Sequence, residues 1–172
     1  MTRTVPFPQR SDGVVRLRPL EPEDAAAHLA GEDDELRRWL SGGPGTIDTV
    51  NSLIARSTTS WQTAGPMRNF GIWEEASGAL AGNCEANSAA ESIGPGEANI
   101  SYAIWPRYRG RGFATRAVEL LCAYLREATD WRRAIIRVEP ANTRSLAVAR
   151  RAGFVEIPSS EPKFVRLARP LR

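Results

Sequence analysis

Arg107-Tyr108-Arg109-Gly110-Arg111-Gly112-Phe113-Ala114-Thr115-Arg116-Ala117 places four arginines and two glycines in eleven residues, between two apolar segments. Upstream, Ala98 to Trp105 reads as a strand that Pro106 stops, because proline cannot donate to a sheet ladder. Downstream, Ala114, Ala117, Val118, Leu121, Leu125 and Ala128 recur at helical spacing. The stretch is therefore a strand-to-helix turn. It can be a solvated basic turn, an RGG-type nucleic-acid tag or an anion cradle. The cradle has a physical basis: glycine admits close backbone approach, and the free N–H groups and dipole of a helix start favour negative charge.

Rival phosphate motifs fail. A dinucleotide fingerprint counted from Gly110 needs a third glycine where Thr115 stands, and no P-loop Gly-Lys-Ser/Thr occurs. RGG tags belong to disordered tracts, whereas this one is held between regular elements.

Outward from the turn, the chain reads as mixed α and β. Val14 to Arg18 alternates like a strand, and Glu21-Pro22-Glu23-Asp24 opens a short helix through Ala25 to Ala30. A second short helix spans about Leu36 to Leu40 and breaks at Ser41-Gly42-Gly43-Pro44-Gly45. Thr46 opens a longer helix with Ile47, Val50, Ile54 and Trp61 on one face. Asn69 to Trp73 and Ala79 to Glu85 flank a hairpin turn at Glu75 to Gly78. After the arginine-rich turn and its helix come a buried strand at Ala134 to Val138 and a helix from Asn142 that stops at Gly153. Strands near Phe154 to Glu156 and Phe164 to Leu167 close the chain. This order predicts an α+β fold, a mostly antiparallel central sheet with helices packed on it, rather than a doubly wound βαβ sheet. Residues 1–12 read as a flexible arm and 13–172 as a single domain.

Composition limits the function classes. The 172 residues carry a net charge of +3, with Lys163 the only lysine, so charge alone is a poor grip on duplex nucleic acid. Cys84 and Cys122 make no disulfide framework and lack metal-ligand spacing. With His28 the only histidine, and read on a helix surface, a zinc site or a histidine triad is all but excluded. No segment reads as a signal peptide or membrane span, so a cytoplasmic protein without membrane or nucleic-acid partners is expected.

Arg109-Gly110-Arg111-Gly112-Phe113-Ala114 also matches the Arg/Gln-x-x-Gly-x-Gly/Ala signature of the GNAT N-acetyltransferases, which bind acetyl-CoA. Val138-Glu139-Pro140-Ala141-Asn142-Thr143-Arg144-Ser145 with Ala152-Gly153-Phe154 resembles that family's later Val-x-Pro-x-Asn-x-x-Ser … Gly-Phe block. Leu17-Arg18-Pro19-Leu20 and Trp39-Leu40 are similar to the RimJ/RimL-type branch, which acetylates protein N-termini.

The resemblance implies a GNAT sheet with a splayed cofactor-binding strand, flanked by helices on both faces. It implies an N-acetyltransferase that moves acetyl from acetyl-CoA to a primary amine, with a homodimer common among such proteins. Pyrophosphate would sit on the N–H groups of Arg109, Gly110, Arg111, Gly112, Phe113, Ala114 and Thr115, with the Thr115 hydroxyl and the Arg109 side chain helping. Ala103, Ile104 and Trp105 would pair with the pantetheine arm, one N–H serving as an oxyanion donor worth about 3–4 kcal/mol. Asn142 would bond the same arm and cap its helix. Glu97 and Glu85 are the candidate general bases, beside catalysis by positioning alone. Many members protonate the leaving thiolate with a tyrosine seven residues after the asparagine. Ala149 stands there, so Ser145 becomes the candidate acid. Trp39, Trp61 and Trp105 are candidates to line the acceptor cleft. The acceptor could be a peptide N-terminus or a small amine. A non-catalytic acyl-CoA sensor and a basic RNA-binding module remain the competing readings.

Overall fold

The computed structural model describes residues 8–39 and 44–172. Among the described residues eight strands form one sheet in the order β1-β2-β3-β4-β5-β6-β8-β7. They are β1 (Arg10–Ser11), β2 (Val15–Arg18), β3 (Met67–Glu74), β4 (Leu80–Asn87), β5 (Glu97–Ile104), β6 (Arg133–Val138), β7 (Val155–Ile157) and β8 (Val165–Pro170). Every neighbouring pair is antiparallel except β5 and β6, which run parallel. The helices are α1 (Ala25–Ala30), α2 (Asp34–Trp39), α3 (Ile47–Gln62), α4 (Phe113–Ala128) and α5 (Thr143–Arg151). The fold class is α+β, as the order of elements predicts.

Local chemistry explains the elements that set up the site. Thr46 and Thr49 close a reciprocal capping box that starts α3. Pro22 opens the single 3-10 turn leading into α1, and Asp24 closes it by accepting from the Glu21 N–H. Helix α4 packs across β2, β4 and β5 through Ala117, Val118, Leu121, Cys122 and Leu125, all fully buried. Each large apolar side chain there contributes roughly 1.5–3 kcal/mol by leaving water. The register pairs Phe70 with Cys84 and Cys84 with Tyr102 across β3, β4 and β5, so these three share one face of the sheet. Phe70 packs edge-to-face on Tyr124 of α4, which places α4 on that face. Helix α3 packs on β3 and on α1. Its Trp61 donates to the Asn69 carbonyl at 3.3 Å, on the part of β3 that extends beyond β2.

Two sequence expectations change. Part of the stretch read as a flexible arm is tied down: Arg10 and Ser11 pair with β2, and Asp12 accepts from the N–H groups of Val14 and Val15. Residues 1–7, and the break read at Ser41 to Gly43 after Leu40, lie outside the described residues. His28 is buried rather than on a helix surface, because its ring meets that of Trp105 edge-on at 5.1 Å. Gly31 sits one turn on, where any side chain would collide with the same indole.

Candidate active site

The site begins where the sheet comes apart. Strands β5 and β6 share three register pairs, Glu97 with Arg133, Ala98 with Ala134 and Asn99 with Ile135. Beyond them β5 continues to Ile104 and β6 to Val138 without pairing to each other. A groove of about 1540 Å³ opens between them, above the usual range of small-ligand pockets and suited to an elongated ligand. Its walls include Tyr102 and Ile104 on β5, Ile136 and Val138 on β6, and Asn142 and Ser145 at the start of α5.

Antiparallel pairing decides which backbone groups of β5 face the groove. The Trp105 N–H donates to the Ala81 carbonyl on β4 at 2.8 Å. Main-chain groups alternate sides along a strand. Ala103 therefore also points its N–H at β4, while Tyr102 and Ile104 point theirs into the opening. This corrects the expectation for Trp105: its N–H is taken by β4, its ring is buried against His28, and it is absent from the groove wall. Ala103 and Ile104 do line the groove. Of the other two candidate tryptophans, Trp39 lines it, whereas Trp61 is spent on the edge of β3.

The arginine-rich turn closes one end. A 3-10 turn at Pro106–Tyr108 leads to Gly110 and Gly112, with φ of +73° and +77°, a region an L side chain enters only with strain. Among the described residues nothing lies within 4 Å of where a Cβ would stand on either glycine, so these residues leave the loop backbone uncovered. Gly112 is the N-cap of α4, and the first helical hydrogen bond is Arg116 N–H to the Gly112 carbonyl. The N–H groups of Phe113, Ala114 and Thr115 are thus left over at the helix start, beside the groove.

The arginine side chains behave differently from the sequence reading. Arg109 donates through Nε to the Ile104 carbonyl at 3.0 Å and grips Asp33 with both terminal nitrogens, at 2.7 and 2.8 Å. It also reaches Glu35 at 2.9 Å, and Arg144 meets Glu35 from the far side at 3.1 Å. Arg111 pairs with Glu74 and lies over the Phe113 ring. Both guanidiniums are committed to protein carboxylates, so an anion at this turn would meet backbone rather than these two side chains. The Arg109 hydrogen bond holds the Asp33 carboxyl well below its ordinary range, at about 2.

At the other wall, Asn142 caps α5 by accepting from the Ser145 N–H at 3.2 Å. Ser145 Oγ lies 2.8 Å from the Tyr102 hydroxyl, which also donates to the Ser145 carbonyl at 3.0 Å. Ala149 is fully buried under the helix.

The two candidate bases separate. Glu85 lines the groove, and Asn69 Nδ2 donates to its carboxylate at 3.0 Å. Glu97 is a correction. Its carboxylate is buried between Arg133 and Arg166 and accepts from the Gly94 N–H, away from the groove wall. Burial pushes that carboxyl up, but the Gly94 N–H and the two arginines outweigh it and hold it below its ordinary value. Glu97 welds β5 to β6 and β8; it is not placed to take a proton from an acceptor. Sequence reasoning missed Tyr102, Asn69 and the Asp33–Glu35 pair. Each acts on a partner distant in sequence, 43, 16 and 76 residues away for Tyr102, Asn69 and Asp33, so no local pattern flags it.

The family model for the acetyltransferase (GNAT) domain matches residues 15–155. The chain belongs to the GNAT acetyltransferases. Solved structures share the fold of this GNAT enzyme across nearly its whole length. RimJ from Mycobacterium smegmatis in complex with CoA-disulfide is 22% identical, with a TM-score of 0.77, covering 95% of this chain and 85% of that one. The ribosomal-protein-S5-alanine acetyltransferase from Vibrio fischeri is 14% identical, with a TM-score of 0.79 and coverage of 95% and 96%. The microcin C7 self-immunity acetyltransferase MccE, in complex with acetyl-CoA and AMP, is 17% identical, with a TM-score of 0.78 and coverage of 93% of each chain. At these identities the likeness is one of fold. No curated protein sequence matches this GNAT chain significantly. Among the described residues no helix is long and apolar enough to cross a membrane, and no cluster of three metal-ligating side chains occurs.

Proposed function

We propose that this GNAT enzyme transfers acetyl from acetyl-CoA to a primary amine, a protein N-terminus or a small-molecule amine, by direct attack. One observation carries the reading: the β5–β6 opening leads from unpaired strand backbone to uncovered glycine backbone at the start of α4. Between the two lies a 3-10 turn in which the Tyr108 and Arg109 N–H groups are taken by the Trp105 and Pro106 carbonyls. The outward-facing N–H groups of Tyr102 and Ile104 and, past that turn, the N–H groups at the start of α4 fit a ligand with an amide-bearing arm and a pyrophosphate.

The residues divide the work. Gly110 and Gly112 open the loop so that its backbone, with the first-turn N–H groups of Phe113, Ala114 and Thr115, receives the diphosphate. Tyr102 and Ile104 offer backbone donors to the arm and to the thioester oxygen, in place of Trp105. Asn142 has its Oδ1 on the helix cap and its amide nitrogen left for the arm. Ser145 Oγ is the donor for the departing sulfur. Glu85, oriented by Asn69, draws the proton from the incoming ammonium directly or through water. Leu36 and Trp39 give the groove an apolar wall beside Glu35, whose carboxylate is held by Arg109 and Arg144. The RimJ/RimL-type sequence features support a peptide N-terminus as acceptor.

The test is calorimetric titration with acetyl-CoA, followed by thiol-release rates against a panel of free-amino-terminal peptides and small amines. Saturable acetyl-CoA binding with amine-dependent thiol release is expected. Binding without release to any amine would favour a sensor, and no binding would end the proposal.

A further inference from the structure

Tyr102 spans the gap that the sheet leaves open. It leaves β5 three residues past the last β5–β6 register pair and ends at the first turn of α5. There its hydroxyl sits 2.8 Å from Ser145 Oγ and donates to the Ser145 carbonyl at 3.0 Å. A first-turn serine without an outside partner turns its hydroxyl back onto its own helix backbone. The phenol supplies the competing partner, on the groove side, for both oxygens of the same residue.

We propose that Tyr102 is a positioning residue for acetyl transfer, which holds the Ser145 hydroxyl facing the groove. The proposal rests on the reading of Ser145 as the donor to the leaving sulfur. It does not make Tyr102 the acid. Burial pushes the phenol up to about 12, the bond with Ser145 pulling weakly the other way. A thiol ordinarily titrates near about 8.5, so moving the phenolic proton to a thiolate runs uphill by about three units. Tyr102 therefore stays protonated and works by geometry. Its hydroxyl spends its hydrogen on Ser145 and offers lone pairs to the serine until a stronger acceptor, the sulfur, draws the Oγ–H away.

The test uses coenzyme A carrying carbon-13 at the methylene next to sulfur, bound to the full chain. The carbon shift is followed against pH for the native protein, Tyr102→Phe, Ser145→Ala and the double variant. Phenylalanine keeps the ring and its packing, and a melting curve verifies each fold. A hydroxyl donated to sulfur favours the thiolate, so Ser145→Ala should raise the bound thiol by about one unit. Tyr102→Phe should raise it by at least half as much, and the double variant should match Ser145→Ala. Affinity measured by calorimetry should change less than about threefold across the set. If Ser145→Ala shifts the thiol and Tyr102→Phe does not, or if the double variant shifts it further than Ser145→Ala, the positioning role is overturned. If Ser145→Ala titrates like the native protein, or coenzyme A does not bind at all, the reading of Ser145 or of the site falls first, and this proposal with it.

Discussion

Ser145, Glu85 and Glu97 show how differently single side chains can be read. Ser145 sits three residues after Asn142, and that spacing alone brings a helix cap and a first-turn hydroxyl to one point. Replacing Ser145 with Ala should lower the rate of thiol release by about 10²-fold, the low end of general acid catalysis, with acetyl-CoA affinity nearly unchanged. Initial rates and calorimetry on one preparation separate the two effects. Glu85→Gln should cost a similar factor in rate, and Asn69→Ala, which frees the carboxylate to swing, less. By contrast, Glu97→Gln should leave turnover close to native while lowering the melting temperature, because its carboxylate serves two arginines. Glu97 could not be assigned from the sequence, since its partners lie 36 and 69 residues away on strands whose neighbourhood no local pattern reveals. Tyr102 was hidden for the same reason: Ser145 is 43 residues on.

At the scale of elements the reading was far more secure. Periodicity located α3, α4 and the β3–β4 hairpin, because two-residue and helical repeats are written directly in the chain. Strand β1, two residues long, leaves no period to detect, and nothing local tells that β8 inserts between β6 and β7. The turn into α4 was legible through its glycines and misleading through its arginines, which serve Asp33, Glu35 and Glu74. Gly112→Glu should therefore abolish acetyl-CoA binding in calorimetry, by covering the backbone and repelling phosphate. A glutamate at φ +77° adds strain of roughly 1–2 kcal/mol, so the unliganded melt should fall modestly without loss of the fold.

For the molecule as a whole, the arginines set the response to acid. Asp33 is held low by Arg109, and Glu74 by Ser77 and Arg111. In Asp12 and Glu97 burial pulls upward, but backbone N–H groups with Arg116 for Asp12, and with Arg133 and Arg166 for Glu97, prevail. Folded values below unfolded ones mean stabilisation that is complete above about pH 4.5 and drains away as the pH falls toward the folded values, about 2 for Asp33. The urea midpoint should fall across that window, and Asp33→Asn should flatten the decline. An earlier, smaller loss should begin below about pH 6.5, because burial lowers His28 and keeps it neutral beside Trp105. His28→Leu should remove this shoulder.

Three register pairs join β1 through β5 to the remaining strands, so the sheet behaves as two leaves stitched along a short seam. A guest chain lying in the gap would lengthen that stitch by adding main-chain bonds where the protein has none of its own. Occupancy should accordingly be felt by both leaves at once. Amide exchange should slow at Tyr102 and Ile104 and also on β6 and β8, and melting should become a single steeper event. On the proposed reading the donor would supply a missing strand, and turnover would be repeated mending and reopening of the sheet.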